Sequence, residues 1–526
     1  IISSCLLITC FIVPLPTCHS GKVLVFPMEG SNWLNMEILI KALHAQGHSV
    51  TVARANKSWY VKEESSHYRS ITVNVTAGVD EQVAKIILQR LINAERGQSS
   101  VLHFLRLQME TFRLKTEVPK INAELATNMI QNKELINMLK DSQYYLVLTD
   151  PCWGTGVLMA HYLQLALVFN VRGVNSRDGH QSIAPSPTSY IPVIGSGLTD
   201  NMTYTDRVKN MLIHFLAQVH YNFFVRPIYQ AVCDKYFQTG VDFDELIQGA
   251  DLWLMRVDFV FEFPRPTMPN VIYVGGFHCK PAKPLPQDLE DFIQSSGVHR
   301  VIIMSLGTLI KELPRDITAE IASAFAQMPQ KVIWRHIGDR PVTLSNNTLL
   351  IDWMPQNDLL GHPKTRLFVA HGGTNGLQEA IYHGVPVVGL PIFFDQYDNL
   401  LRLQMRGGAK IVTLAKVDKD NNFLKALKEV LNEPHHKENM QKLSKLHRDQ
   451  PMNPLELATF WIEFVMRHKG AAHLRTESYR MALYFYHSLD IMALLLAVVL
   501  LILLMTVAFI RCLCFNMFCR RKIKHD

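Results

Sequence analysis

The body of this chain has almost no cysteine. Nine occur in 526 residues, but three lie within the first 20 and three follow residue 511, which leaves Cys152, Cys233 and Cys279. A set so sparse and odd-numbered is no disulfide framework and allows one bridge at most. Charge is scarce too, at 19% of residues against 48% hydrophobic. That balance excludes a chain kept disordered by its own charge. The formal net charge of +7 is modest for the length, and no Lys/Arg stripe is interleaved with aromatics. Nucleic acid is therefore not the expected partner. Long apolar runs are confined to the two ends.

Both runs read as targeting segments. Residues 1–20, "IISSCLLITCFIVPLPTCHS", are apolar and end in small and polar residues, the pattern of a signal peptide cleaved near Ser20. The second run starts at residue 489 and ends at 510. Its 20 residues 491–510, "IMALLLAVVLLILLMTVAFI", carry no charge and at ~1.5 Å per residue reach ~30 Å, one hydrocarbon core. Arg511, Arg520, Arg521, Lys522 and Lys524 follow it, while His487 and Asp490 precede it. The positive-inside rule then places the tail 511–526 in the cytosol and the body across the membrane. Lys522 and Lys524 match the dilysine signal for retrieval to the endoplasmic reticulum. Four sequons, at Asn56, Asn74, Asn201 and Asn346, are candidate glycosylation sites in a luminal body. The tail cysteines Cys512, Cys514 and Cys519 are candidate palmitoylation sites.

Between the ends the chain alternates strand and helix patterns twice. "KVLVF", "SVTVARA", "YYLVLTD" and "LALVFNV" punctuate residues 21–280. "VIIMSLGT", "KVIWRH", "TLLIDWMP", "RLFVAHGG" and "VPVVGLP" punctuate 288–450. Short Val/Ile runs bounded by Gly and Pro, with helices between, predict two parallel α/β sheets of Rossmann type. The proline-spaced residues 281–287 have a linker's composition. Residues 451–488 read as amphipathic helices packing back toward the membrane. Ligands of such sheets bind at the carboxyl ends of the strands, so the two domains enclose a cleft.

The most informative stretch is 353–396, "WMPQNDLLGHPKTRLFVAHGGTNGLQEAIYHGVPVVGLPIFFDQ". A strand runs into His371, the glycine turn Gly372-Gly373, and the start of a helix at Thr374 and Asn375. Backbone amides at a helix N-terminus beside two glycines suit a diphosphate. Glu379, one turn on from Asn375, suits a ribose hydroxyl. "SLGT" (Ser305 to Thr308) offers a second small phosphate loop, Trp353 a flat face for a base, and Asp395-Gln396 an acceptor and an amide for sugar hydroxyls.

These residues, in this order, resemble the donor-site signature of the UDP-glycosyltransferases. The likeness extends over almost the whole chain to the vertebrate UDP-glucuronosyltransferases. It implies a GT-B fold, no metal or other cofactor, UDP-glucuronate as co-substrate, and inverting transfer of glucuronic acid to small lipophilic phenols, alcohols or amines. It also implies self-association or association with related transferases. By motif, Trp353 and Gln356 would hold the uracil. Ser305, Thr308, His371, Gly373, Thr374 and Asn375 would serve the diphosphate, Glu379 the ribose, and Asp395 and Gln396 the sugar. Arg335 matches a basic position near the donor, and Arg256 an arginine near the glucuronate carboxylate, for which a bidentate guanidinium is suited.

On the acceptor side the family uses a histidine after the first strand, oriented by an aspartate, as general base. Asp150 in "VLTD" matches the aspartate. The histidine position in "MEGSNW" is Asn32. An amide has no useful basicity, and losing a positioned base costs ~10²- to 10⁴-fold. Three readings stay open: Asp150 or a water serves as a weak base for acceptors needing little activation, such as amines; the protein binds donor but is silent toward hydroxyl acceptors; or Asn32 is an allelic variant of a histidine enzyme. Asn32 also reads as a helix N-cap. His161, His180 and His220 read as structural. Asp242-Phe-Asp244 mimics a metal-binding pair but begins a helix pattern.

Overall fold

The computed structural model of the chain describes residues 20–76, 101–172, 180–307, 313–392, 395–417 and 420–522, together with residues 86, 90 and 93. Seven strands build the first sheet: β1 (Lys22–Phe26), β2 (Ser49–Ala55), β3 (Arg69–Val73), β4 (Leu146–Thr149), β5 (Ala166–Val171), β6 (Leu252–Met255) and β7 (Val271–Tyr273). Their order is β3-β2-β1-β4-β5-β6-β7, and every pair is parallel. Six strands build the second: β8 (Val301–Ser305), β9 (Lys331–Arg335), β10 (Thr348–Ile351), β11 (Thr365–Ala370), β12 (Val387–Gly389) and β13 (Ala409–Ile411). Their order is β10-β9-β8-β11-β12-β13, again all parallel.

The central strands are near-continuous apolar runs, as expected of parallel strands covered on both faces. "LVLT" of β4 and "VIIMS" of β8 are buried at every position. In the first core Val25 and Leu148 pack with Leu39 of helix Ser31–Ala45. In the second, Phe325 meets Trp334 edge-on with ring centroids 5.8 Å apart. Each sheet reverses its winding once, between β1 and β4 in the first and between β8 and β11 in the second. A crevice opens at the carboxyl ends of the strands at such a point.

Helix Pro454–His468, within the segment 451–488 expected to pack back toward the membrane, is part of the first core. Ala458, Ile462, Val465 and Met466 are buried in the core of the first sheet, beside helix Ser31–Ala45. Its polar edge is held as well, with Glu463 Oε1 3.0 Å from His48 Nε2. Burying that face within the protein removes more apolar surface from water than an interfacial contact would.

Both sheets belong to one compact unit that ends at Leu474. Between them, Gln378 donates to the carbonyl of Arg256 at 2.6 Å and accepts from the amide of Gly276 at 3.0 Å. Asp398 accepts from the amides of Gly195 (2.5 Å) and Gly197 (2.9 Å). Arg402 Nε lies 2.8 Å from Glu262 Oε2, with both side chains 7% exposed. The second unit, Arg475–Asp526, contains the helix Leu489–Lys522. Within it, Leu489–Asn516 is long and apolar enough to cross a bilayer.

Removing one partner of a buried ion pair leaves the other charge uncompensated. Glu262→Ala is expected to destabilise the detergent-solubilised protein by about 3–5 kcal/mol, read as a lowered midpoint in thermal or denaturant unfolding.

Candidate active site

The two reversal points face each other, and most of the sequence-predicted residues stand on them. Asn32 follows β1 and Asp150 follows β4. Ser305 closes β8, and His371 follows β11. A cavity of about 430 Å³ lies between the sheets, lined by Ser305, Arg335, Trp353, Gln356, His371, Gly373, Thr374, Asn375, Glu379 and Gln396. Thr308 lies outside the described residues. Asn32, Asp150, Arg256 and Asp395 are buried at the cleft's edge and do not line this cavity.

The corner expected to take the diphosphate is built from backbone. Helix Thr374–His383 is capped by Gly373, and no side chain takes its first amides. The amides of Thr374, Asn375 and Gly376 therefore open onto the cavity at the positive end of the helix dipole. Gly372 (φ 94°) makes the turn, and a Cβ there would lie 2.5 Å from the carbonyl oxygen of Gln396. Opposite, Gly307 (φ 77°) lets the Ser305 loop approach His371, where a Cβ would sit 2.7 Å from the imidazole. Burial pushes the His371 pKa down to about 4, so the ring is neutral and serves as a hydrogen-bonding group, not a cation. Positive charge comes from Arg335, Arg172 and Lys280, which line the same cavity. Arg335 donates to the carbonyl of Gly307 at 2.5 Å and lies 5.9 Å from the Trp353 ring. Trp353 is 69% exposed, an open aromatic face at the mouth.

Glu379 accepts from Gln356 Nε2 at 2.6 Å. Burial outweighs that bond and pushes its pKa up to about 7. Gln396 is turned back on its own loop, accepting from the amide of Ile392 at 2.8 Å. Asp395 accepts from Asn399 Nδ2 at 3.0 Å and pairs with Arg172. Burial opposes its charge, but Arg172 and Asn399 outweigh burial and hold its carboxyl below the usual range. Arg172 is a residue that the sequence reading missed. The available signal was a charge at the carboxyl end of a buried strand, "LALVFNVR".

On the acceptor side, the reading of Asn32 as a helix cap does not hold. Gly30 (φ 77°, ψ −144°) takes the cap position with no side-chain bond, and Asn32 is the second residue of the helix. Its Oδ1 instead accepts from Arg256 Nη2 at 2.7 Å, and its Nδ2 points to Met28 Sδ at 3.1 Å. A buried guanidinium is a stronger partner for an amide oxygen than a backbone N–H. Asp150 Oδ1 accepts from the amide of Cys152 at 3.0 Å. Burial pushes Arg256 down to about 10, with Asp150 opposing the fall. Arg256 Nε and Nη1 have no hydrogen-bond partner among the described residues.

Several sequence candidates lie elsewhere. Asp242 caps helix Phe243–Gln248 through the amide of Asp244 at 2.8 Å and pairs with Arg226. Asp244 accepts from the Tyr221 hydroxyl at 2.5 Å. These contacts make the acidic pair structural. Cys152, Cys233 and Cys279 form no disulfide among the described residues. His161 and His220 have pKa values lowered by burial, and the side chain of His180 lies outside the described residues. The four sequon asparagines are exposed. Lys522 ends the last helix, and Lys524 lies outside the described residues.

A family profile described as "UDP-glucoronosyl and UDP-glucosyl transferase" matches residues 21–525. The chain belongs to that family. It is 40% identical over 500 residues to UDP-glucuronosyltransferase 1-2 of Rattus norvegicus, covering 95% of this chain and 92% of the relative. It is 41% identical over 509 residues to UDP-glucuronosyltransferase 2B13 of Oryctolagus cuniculus, covering 94% of both. Among solved structures, a Polygonum tinctorium UDP-glucosyltransferase in complex with 3,4-dichloroaniline superposes with a TM-score of 0.57 at 15% identity, covering 86% of this chain and 99% of that one. The glycosyltransferase VinC, in complex with DTDP, superposes with a TM-score of 0.56 at 19% identity, covering 85% and 100%. These likenesses establish the GT-B fold of this UDP-glycosyltransferase family member.

The Glu379 carboxyl gives the cleft a pH signature. In the free protein it is protonated below pH about 7. A ribose donating hydrogen bonds would favour the carboxylate, so binding lowers its pKa and releases the proton. UDP affinity should be full above pH about 7 and fall as the pH drops below it. Calorimetric titration of UDP into wild type and Glu379→Gln between pH 5.5 and 8 checks this. The pH dependence left in the variant belongs to the phosphate, and the difference between the two belongs to Glu379.

Proposed function

We propose that this chain transfers glucuronic acid from UDP-glucuronate to small lipophilic acceptors, with inversion at the sugar carbon. The observation that carries the reading is the pairing of the two reversal points. Ten of the residues expected at the donor line one cavity, and Asn32 and Asp150 follow the two strands at the first sheet's reversal point. In this reading the uracil stacks on Trp353 and is read by Gln356. The amides of Thr374 and Asn375, with Ser305 and His371, take the diphosphate, and Glu379 takes the ribose. Asp395 and Gln396 address the sugar hydroxyls, Gln396 by turning from its own loop. Arg335 and Lys280 supply the charge that balances the diphosphate, so the reading needs no metal ion.

Activation of the acceptor is the weak step. Asn32 cannot take a proton, and its oxygen is already used by Arg256. Asp150 is buried near the Arg256 cation and accepts a bond from the amide of Cys152. An acceptor that is nucleophilic without deprotonation, such as an amine, attacks the anomeric carbon as the bond to the UDP oxygen breaks, and loses its proton afterwards. A phenol or alcohol must lose its proton during attack and is handicapped here. Arg256 Nε and Nη1, without a hydrogen-bond partner among the described residues, fit a role in steering the sugar carboxylate.

We also infer an endoplasmic reticulum location with a luminal body. The apolar helix Leu489–Asn516, the basic residues after it and the exposed sequons support this.

Turnover by membranes carrying the chain tests the reading, with UDP-glucuronate and UDP-glucose offered against paired phenol and amine acceptors. Transfer from UDP-glucuronate, with amine turnover exceeding phenol turnover, is expected. Turnover with UDP-glucose alone would overturn the donor assignment, and no turnover with any pair would leave a donor-binding member that is catalytically silent. Asn32→His should raise phenol turnover by ~10²-fold or more while changing amine turnover far less. An unchanged phenol rate would locate the base elsewhere.

A further inference from the structure

We propose that the junction of helices Asn422–Asn432 and Pro434–Arg448 binds a divalent transition-metal ion of the zinc type, held by Glu433, His435 and His436. These three side chains bring one carboxylate oxygen and two ring nitrogens to within 4.8 Å of one another. Two imidazoles and a carboxylate form a donor set that suits zinc and its first-row neighbours, whereas magnesium and calcium favour oxygen alone. His435 Nδ1 and Glu433 Oε2 are 3.4 Å apart. That spacing matches the edge, ~3.4 Å, of a tetrahedron with ~2.1 Å bonds. None of the three lines the donor cavity, so the site is separate from the transfer reaction.

His436 supplies an independent sign of a ligand. It is 4% exposed. Its Nδ1 lies 3.0 Å from the carbonyl oxygen of Gly407, which can only accept, so Nδ1 carries the proton. Nε2 keeps its lone pair and is buried with no hydrogen-bond partner among the described residues. An imidazole fixed through one nitrogen by a backbone carbonyl, with the other nitrogen bare, is arranged as a metal-bound histidine is. A buried acceptor left unpaired is costly, and a metal ion removes that cost. His435 lies over this ring, with centroids 4.0 Å apart. Half-exposed, it can change rotamer to admit an ion. The positive end of the helix dipole opposes a cation here. Glu433 offsets this, because it stands at the N-cap and its carboxylate makes no cap bond. Lys437, one turn on, is drawn instead to the carbonyl of Gly384 at 2.7 Å. A bound ion would clamp the start of helix Pro434–Arg448 to the Gly407 turn just before β13.

The test is a calorimetric titration of zinc into the detergent-solubilised full chain, stripped of metal with a chelator. Wild type should bind one equivalent that His435→Ala, Glu433→Gln and His436→Asn each weaken by ~10-fold or more, as loss of even an outer partner of a metal does. Asn at 436 keeps a side-chain N–H for the Gly407 carbonyl and removes the bare nitrogen. His435 and Glu433 are half-exposed, so their variants should unfold at the wild-type midpoint when metal is absent. Zinc should also slow amide hydrogen exchange at both 407–409 and 433–440 in wild type and not in the variants. No zinc bound by wild type would overturn the proposal. So would equal stoichiometry and affinity in wild type and the two half-exposed variants, which would assign the zinc to other histidines of the chain. Tighter binding of magnesium than of zinc at the affected equivalent would overturn the assignment of the metal.

Discussion

Arg256 ties the halves of the cleft together, and most of the site's geometry depends on it. Its amide bonds the end of β5 through the carbonyl of Val171 at 2.9 Å. Its carbonyl accepts from Gln378, on the helix whose N-terminus opens onto the phosphate corner. Its guanidinium holds Asn32 beside Asp150. One residue thus fixes the acceptor-side corner of the first sheet against the donor-side helix of the second. A buried guanidinium with only part of its N–H groups satisfied is costly. That cost is tolerable where Asp150 stands close by and where a bound anion would complete the pairing.

The electrostatics of the cleft follow from depth. His371 and His278 are pushed down to about 4 by burial and stay neutral. Net positive charge is left to Arg335 and Lys280 on the cavity wall, since Arg172 is paired with Asp395. A neutral imidazole close to the phosphate corner can hydrogen-bond without paying the desolvation of a second buried cation. Asp395 shows the opposite balance: equally buried, it stays ionised because Arg172 crosses from the first sheet to meet it. Burial thus decides the charge of His371 and Glu379, and a partner on the other sheet decides that of Asp395.

Much of this was legible in the sequence. Unbroken apolar runs between Gly and Pro imply parallel strands covered on both faces, and both sheets are built that way. The stretch 353–396 places its glycines, its helix start and its acid one turn on in a single local unit, so its strand–turn–helix form could be read without tertiary information. Arg172 was invisible as a site residue, because its importance comes from Asp395, 223 positions away. Asn32 was legible as a departure from the family's histidine but not in its contacts. Its cap reading failed because Gly30 takes the cap and Arg256, 224 positions away, offers a stronger partner.

The sequence alone determined the class of sheet, the family, the apolar span and the donor signature, because each is written in residues close together along the chain. Tertiary structure decided the remainder. It set which charges survive burial and returned helix Pro454–His468 to the first core. It also exposed the apolar side of helix Tyr204–His220, since a helical period marks an apolar face without saying which way that face turns. The contacts that settle these points join residues far apart in the chain, and only the packed fold brings them within reach.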